Sequence, residues 1–343
     1  MQLIKPDVNI DFIGKRKLGF ILSIVLILVS IGSLIVHKGP NYGIDFAGGT
    51  IVQIQFDSVV TIEKIRQGLA NIGLEKSSVQ NFGKSQDNEY LIRTSQENAG
   101  KQGMSQAITE ALSQSTGQEP VIRRVEYVGP QVGEDLRKKA LLAIFYSLLF
   151  ITIYISARFE DKLFISGITA GSLMVAVYFL SLANVSMPFL IACALIISLV
   201  LFWFLELKYA MGAIVALIHD VMITVGIFSI LDLEFSLPII AALLTIIGYS
   251  LNDTIIVFDR IRENIKGMDA AEIHPGIFNK SINETLSRTV LTSLTTLIVL
   301  FALYFLGGEI INNFTFAMII GVLIGTYSSI FVASPMVLAA TKR

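Results

Sequence analysis

An α-helical polytopic membrane protein of about eight spans, with an α+β domain inserted after the first, is the fold class this sequence predicts. Three observations predict it. Hydrophobic residues make up 53% of the 343 and charged residues only 15%, where a soluble globular chain carries about a quarter charged. Apolar runs near the ~20 residues that a helix needs to cross the hydrocarbon core recur at 18–36, 140–155, 163–182, 188–205, 210–231, 237–258, 289–306 and 314–340. Between the first two, the stretch 40–138 holds no long apolar run and near-balanced charge.

Residues 1–17 end in Lys15-Arg16-Lys17 and precede the first span, 18–36. A secretory signal has a shorter apolar core and a small-residue cleavage site, so this run reads as an uncleaved helix. In 40–138 the segment 50–56 alternates like a strand. Residues 61–71 read as a helix that Thr61 can cap, with Ile62, Ile65 and Leu69 on one face. Segments 79–82 and 90–93 read as a strand pair around the polar turn 85–88, 105–112 as a second helix and 121–128 as a closing strand. That order, βαββαβ, is the split βαβ, ferredoxin-like arrangement. The remaining divisions are a second span at 139–157, a two-helix hairpin at 163–205, two spans at 209–258, a loop at 259–288 and two spans at 289–340.

Lys and Arg in short loops mark the cytoplasmic side. They occur at the N-terminus, near Arg158/Lys162 and Lys208, in 259–288 and at Lys342-Arg343, and are missing from the turns 183–187, 232–236 and 307–313. The two sets alternate as eight crossings require, placing both termini in the cytoplasm and the inserted domain outside. Arg137-Lys138-Lys139 sits on the outer side against this pattern; long translocated domains are largely exempt from the rule.

Composition excludes several functions. A net charge of −1 argues against nucleic acid as a partner. One cysteine, Cys193, lies in an apolar run, so neither a disulfide framework nor a Cys/His metal cluster is expected. There is no phosphate loop, H-E-x-x-H pair or nucleophile elbow, so neither an enzyme nor a cofactor is expected. Gly48-Gly49 before the first strand fits a turn or bulge.

Charges within spans are costly, by roughly 2.5–3.5 kcal/mol on insertion scales, and face the bundle interior. His219-Asp220 lies near the centre of 210–231, Asn252-Asp253 in the inner half of 237–258, and Arg288 opens the span carrying Thr292, Ser293, Thr295 and Thr296. Asp253 and Arg260 share a helix face, and the helix runs on polar from Asp259. Asp253 reads either as a permanent partner of an arginine that locks packing, or as a carboxylate that gains and loses a proton beside a movable cation. His219-Asp220 reads equally as a relay or as a hydrogen bond to a neighbouring span. Arg288 fits a relay partner or an interfacial snorkelling arginine, and the Ser/Thr run fits ordinary interhelical hydrogen bonding.

The motifs NYGIDFAGGT (41–50), VGPQVG (128–133), GAIVALIHD (212–220), TIIGYSLNDT (245–254) with DRIREN (259–264), and Ser287-Arg288-Thr289 with Thr292-Ser293 resemble, in order, those of the SecF branch of the SecD/SecF protein-export family. The resemblance implies an accessory subunit of the bacterial inner membrane. Such a subunit pairs with SecD, associates with the SecYEG channel and YajC, and uses the proton motive force to help move preproteins, with protons as coupling ion and lipid as surroundings. It also implies a proton relay at Asp253 and Arg288, with His219, Asp220, Asn252, Asp259 and Arg260 as further relay or packing candidates. Family members have six spans. Here the insert 161–206 adds two apolar runs that echo the following pair, as in Ser186-Met187-Pro188 and Ser236-Leu237-Pro238, and it reads as a peripheral, lipid-facing hairpin. Two other readings stay open: a non-transporting scaffold of a membrane complex, and a small-molecule exporter of the resistance-nodulation type.

Overall fold

The computed structural model describes residues 8–75, 77–83, 87–94, 103–181, 187–269 and 272–341. Residues 85–86 of the predicted polar turn, 183–186 of the predicted outer turn, and Lys342-Arg343 lie outside them. Among the described residues, six helices are long and apolar enough to cross a membrane. They are α1 (Arg16–Val36), α5 (Pro130–Phe159), α8 (Lys208–Ile230), α9 (Leu237–Ile265), α10 (Pro275–Leu306) and a last span (Ile311–Thr341). That span comprises α11 (Glu309–Ser328), a π-helical turn (Ser329–Ala333) and α12 (Ser334–Thr341). The hairpin α6 (Leu163–Ser181) and α7 (Met187–Phe204) supplies two shorter apolar helices beside these six.

In the stretch 259–288, set apart as a loop in the division of the chain, α9 runs on past Asp259 as its polar continuation indicated, and α10 takes up most of the rest. Helix α9 continues to Ile265 because Arg260, Arg262 and Glu263 are good helix formers. Helix α10 begins early because Pro275 suits its first turn. Only 266–274 joins the two.

The inserted domain carries α2 (Ile44–Ala47), β1 (Gly49–Gln55), α3 (Ile62–Ala70), β2 (Ser78–Phe82), β3 (Glu89–Thr94), α4 (Met104–Thr116) and β4 (Val121–Val128). The sheet order is β2-β3-β1-β4, antiparallel throughout, with a register shift between Gln53 and Ile54 opposite β4. One face is buried: Val52, Ile54 and Ile92 pack against Ile65 and Leu69 of α3 and Ile108 and Leu112 of α4. Thr61 holds the N-cap position of α3 with extended backbone, but its hydroxyl makes no capping hydrogen bond.

The domain is stapled to one end of the bundle by its glycine motif. Gly48 (φ +73°) and Gly49 (φ +134°) occupy backbone conformations closed to other residues, and a Cβ at Gly48 would stand 2.7 Å from the Cα of Pro130. The motifs 41–50 and 128–133 are therefore interlocked halves of one joint. The same segment reaches α9: Asp45 Oδ2 accepts the Leu237 N–H at 2.9 Å, capping that helix's first turn. Beside it Glu234 pairs with Arg93 of β3, both largely buried.

The hairpin packs on the side of α5, where Phe145 and Leu149 meet Ala170, Leu173, Val177 and Ala194. Its far faces are open, with Phe164 at 79% and Phe204 at 76% exposure. At the end of the bundle away from the sheet, Glu160, just past α5, caps α8 by accepting the Tyr209 N–H at 2.7 Å. Burial holds the Glu160 carboxyl up at about 7, against the pull of the Tyr209 and Ala210 N–H groups and the Lys162 charge. The folded state thus binds this proton more tightly than the unfolded chain. Its stabilisation is full below about 4.5 and is lost as pH rises through about 7, a difference of about 3 kcal/mol. Thermal unfolding in mild detergent is expected to fall in midpoint between pH 5 and 8, and Glu160→Gln to flatten that slope. An equal slope in both proteins rejects the assignment.

Candidate functional site: two carboxylates between the spans

Helices α9 and α11 approach closely because α11 presents Gly321 and Gly325 one turn apart. A Cβ at Gly325 would stand 2.9 Å from the Cβ of Ser250, and one at Gly321 would strike Ile246. That approach closes a polar cluster around Asp220, which is fully buried on α8. His219 Nδ1 lies 2.8 Å from Asp220 Oδ1, while Oδ2 accepts from Ser250 Oγ of α9 at 2.6 Å and Ser328 Oγ of α11 at 2.8 Å. His219 Nε2 lies 3.1 Å from Ser23 Oγ of α1, which in turn lies 3.1 Å from the Tyr327 hydroxyl. Tyr327 stacks on the His219 ring and donates to the Gly19 carbonyl at 2.6 Å. Three helices thus meet at one carboxylate with both oxygens satisfied, and His219 ties in a fourth, α1.

The π-helical turn follows directly on Ser328. Its cause is Pro335, which has no N–H to offer the carbonyl four residues back and whose ring crowds it. The widened turn is held by Ser334, whose hydroxyl donates to the Ser329 carbonyl at 2.8 Å. Such turns frequently mark functional helices.

Asp253 sits on α9, about one turn beyond Ser250 and 1% exposed, in a very different state. Its Oδ2 accepts one long hydrogen bond from Ser293 Oγ of α10, at 3.4 Å. Its Oδ1 is buried without a hydrogen-bond partner, as is Thr289 Oγ1, one turn before Ser293. Ser293 itself is drawn to Thr326 of α11 at 2.7 Å. Asp253 is therefore a buried carboxylate that the fold leaves poorly hydrogen-bonded.

The other expected residues are placed as follows. Arg288 is exposed and makes no ion pair among the described residues. It does not touch Asp253, but lines with Asn252, Asp259 and Arg260 a cavity of about 470 Å³ open at the far end of the bundle. Asp259 pairs with Arg158 of α5 at 2.7 Å. Arg260 turns to Glu263 at 3.1 Å and Glu284 at 3.6 Å, away from Asp253. Sequence reasoning missed Ser23, Ser250, Tyr327 and Ser328. Gly19, Ser23 and Ser30, the buried residues of α1, are small and share a face, which is a legible signal of close helix packing.

Fold and site together define a multi-pass helical membrane protein with ionisable side chains buried where its spans meet and a small soluble domain clamped to one end. The chain belongs to the SecD/SecF family of protein-export membrane proteins, on its SecF side. The family profile described as "Protein export membrane protein SecD/SecF, C-terminal" matches residues 108–188 and 179–343, and "SecD/SecF GG Motif" matches 33–58. The first profile is thus matched in two pieces that overlap within the extra hairpin. The protein translocase subunit SecF of Calditerrivibrio nitroreducens is 42% identical over 340 residues, covering 98% of this chain and 96% of that one. The subunit of the same name from Magnetococcus marinus is 43% identical over 342 residues, covering 98% and 94%. The crystal structure of SecDF, a translocon-associated membrane protein from Thermus thermophilus, superposes with a TM-score of 0.71 at 31% identity. It is matched over 100% of this chain, which spans 40% of the SecDF chain. A structure of SecDF in a super-membrane-facing form gives a TM-score of 0.63 at 33% identity.

Proposed function

We propose that the chain pairs with SecD and uses the proton motive force to promote preprotein export through SecYEG across the bacterial cytoplasmic membrane, with YajC as an associated subunit. Both termini face the cytoplasm, the hairpin adds two crossings to the six long spans, and the ferredoxin-like domain lies outside. The observation that carries the reading is the contrast between the two buried carboxylates. Asp220 is satisfied on both oxygens and locks four helices. Asp253 has one long bond and one unpartnered oxygen, so a proton arriving there changes the balance most.

Asp253 is the relay carboxylate and protons are the coupling ion. Arg288, at the open cavity on the cytoplasmic side, is the cation whose approach or withdrawal sets its charge state. Asn252, Asp259 and Arg260 line that approach, and His219 serves packing with Asp220. The stroke has a path, since α9 carries Asp253 and its outer end is capped by Asp45 and flanked by the Glu234–Arg93 pair. A shift of α9 pulls directly on the sheet.

The test is export into inverted vesicles carrying the SecD partner, with and without a proton gradient. Loss of the gradient-driven increment in Asp253→Asn supports the reading. An undiminished increment supports instead a non-transporting scaffold acting through its outer domain.

A further inference from the structure

Arg137, Ala140, Leu141, Ile144 and Leu148 share one face of α5 and line a cavity of about 230 Å³. This exceeds the roughly 150 Å³ of a dry cavity that takes up benzene. Helices α7, α8 and α9 supply the other walls, α7 through Ile191 and Leu195. Apart from Arg137 and Tyr42 at the outer end, the lining is apolar throughout. From residue 137 to 148 the helix rises about 16 Å at its usual pitch, close to half of the ~30 Å hydrocarbon core. The cavity therefore runs from the interface on the sheet side toward the bilayer midplane, the reach of one acyl chain in one leaflet.

The mouth carries a charge to match. Lys138 and Lys139 are neutralised by Glu134 at 2.8 Å and Asp135 at 3.1 Å. Arg137 has no carboxylate partner among the described residues; its guanidinium lies 5.4 Å from the centre of the Tyr42 ring, leaving its forked donors free for an anion. We propose that this cavity binds an anionic phospholipid from the leaflet on the sheet side, with one acyl chain laid along α5 and the phosphate held by Arg137. The site gives a role to a basic residue on the side where the topology rule leaves none. It also makes the extra hairpin a wall of a ligand site, since α7 closes it.

The test is native mass spectrometry of the full chain released from vesicles of equimolar phosphatidylglycerol and phosphatidylcholine. The wild type is expected to retain one phosphatidylglycerol with about tenfold preference over phosphatidylcholine, the worth of one charge-assisted contact. Arg137→Gln is expected to bring that preference near parity. Leu141→Trp, which fills the cavity from a partly buried position, is expected to lose the bound lipid. Equal retention of both lipids by the wild type, which depends on no variant folding, overturns the proposal. So does full phosphatidylglycerol retention in Leu141→Trp.

Discussion

Asp253→Asn is expected to reduce gradient-driven export to the level of vesicles lacking the chain, while the protein inserts and folds normally. Asparagine fills the same volume and still accepts from Ser293, but it cannot take up and release a proton. The stability consequence has an unusual sign. Removing a poorly paired buried charge is neutral or stabilising, so the inactive variant is expected to unfold at the same temperature as the wild type or higher. Inactivity with unimpaired stability separates a lost proton site from a damaged fold. A variant with full gradient-driven export removes Asp253 from the mechanism.

Asp220→Ala is expected to behave in the opposite way. It strips the acceptor from His219 Nδ1, Ser250 and Ser328 at once, groups on three helices, leaving Ser328 only its 3.2 Å bond to the Gly325 carbonyl. Breaking one side of a buried charged network costs about 3–5 kcal/mol, and the Gly321/Gly325 approach leaves little room for water to repair it. Thermal unfolding and protease resistance in detergent should both drop sharply, with export failing as a consequence. Asp220→Asn, which retains an acceptor, should recover most of the stability. If Asp220→Ala matched the wild type in stability, the four-helix lock would be wrong.

These two carboxylates mark where sequence reading was sufficient and where it was not. Six of the eight expected spans were legible because lipid imposes a composition, and the order of strands and helices because a half-buried sheet imposes alternation, as at Val52 and Ile54. Both carboxylates were legible as costly charges in apolar runs. Their different states were not, because satisfaction depends on residues far apart in the chain. Ser23, Ser250 and Ser328 become partners of one cluster only once α1, α9 and α11 are packed. The direction taken by Arg288 was equally hidden: the family resemblance pairs it with Asp253, but the side chain lines the open cavity instead. Asp45 read as part of a turn motif, and only the fold brought it to the first turn of α9.

The claim that joins these pieces is that the protonation of Asp253 moves the outer domain through α9. Spin labels at Val59→Cys, on the domain, and Leu231→Cys, at the outer end of α8, occupy exposed positions (74% and 52%), with the native Cys193 replaced by alanine. Pulsed dipolar distances in vesicles with SecD should resolve two populations whose ratio responds to an imposed proton gradient, and Asp253→Asn should hold a single population whatever the gradient. A distance distribution that the gradient leaves unchanged in the wild type, or moves equally in Asp253→Asn, contradicts the account.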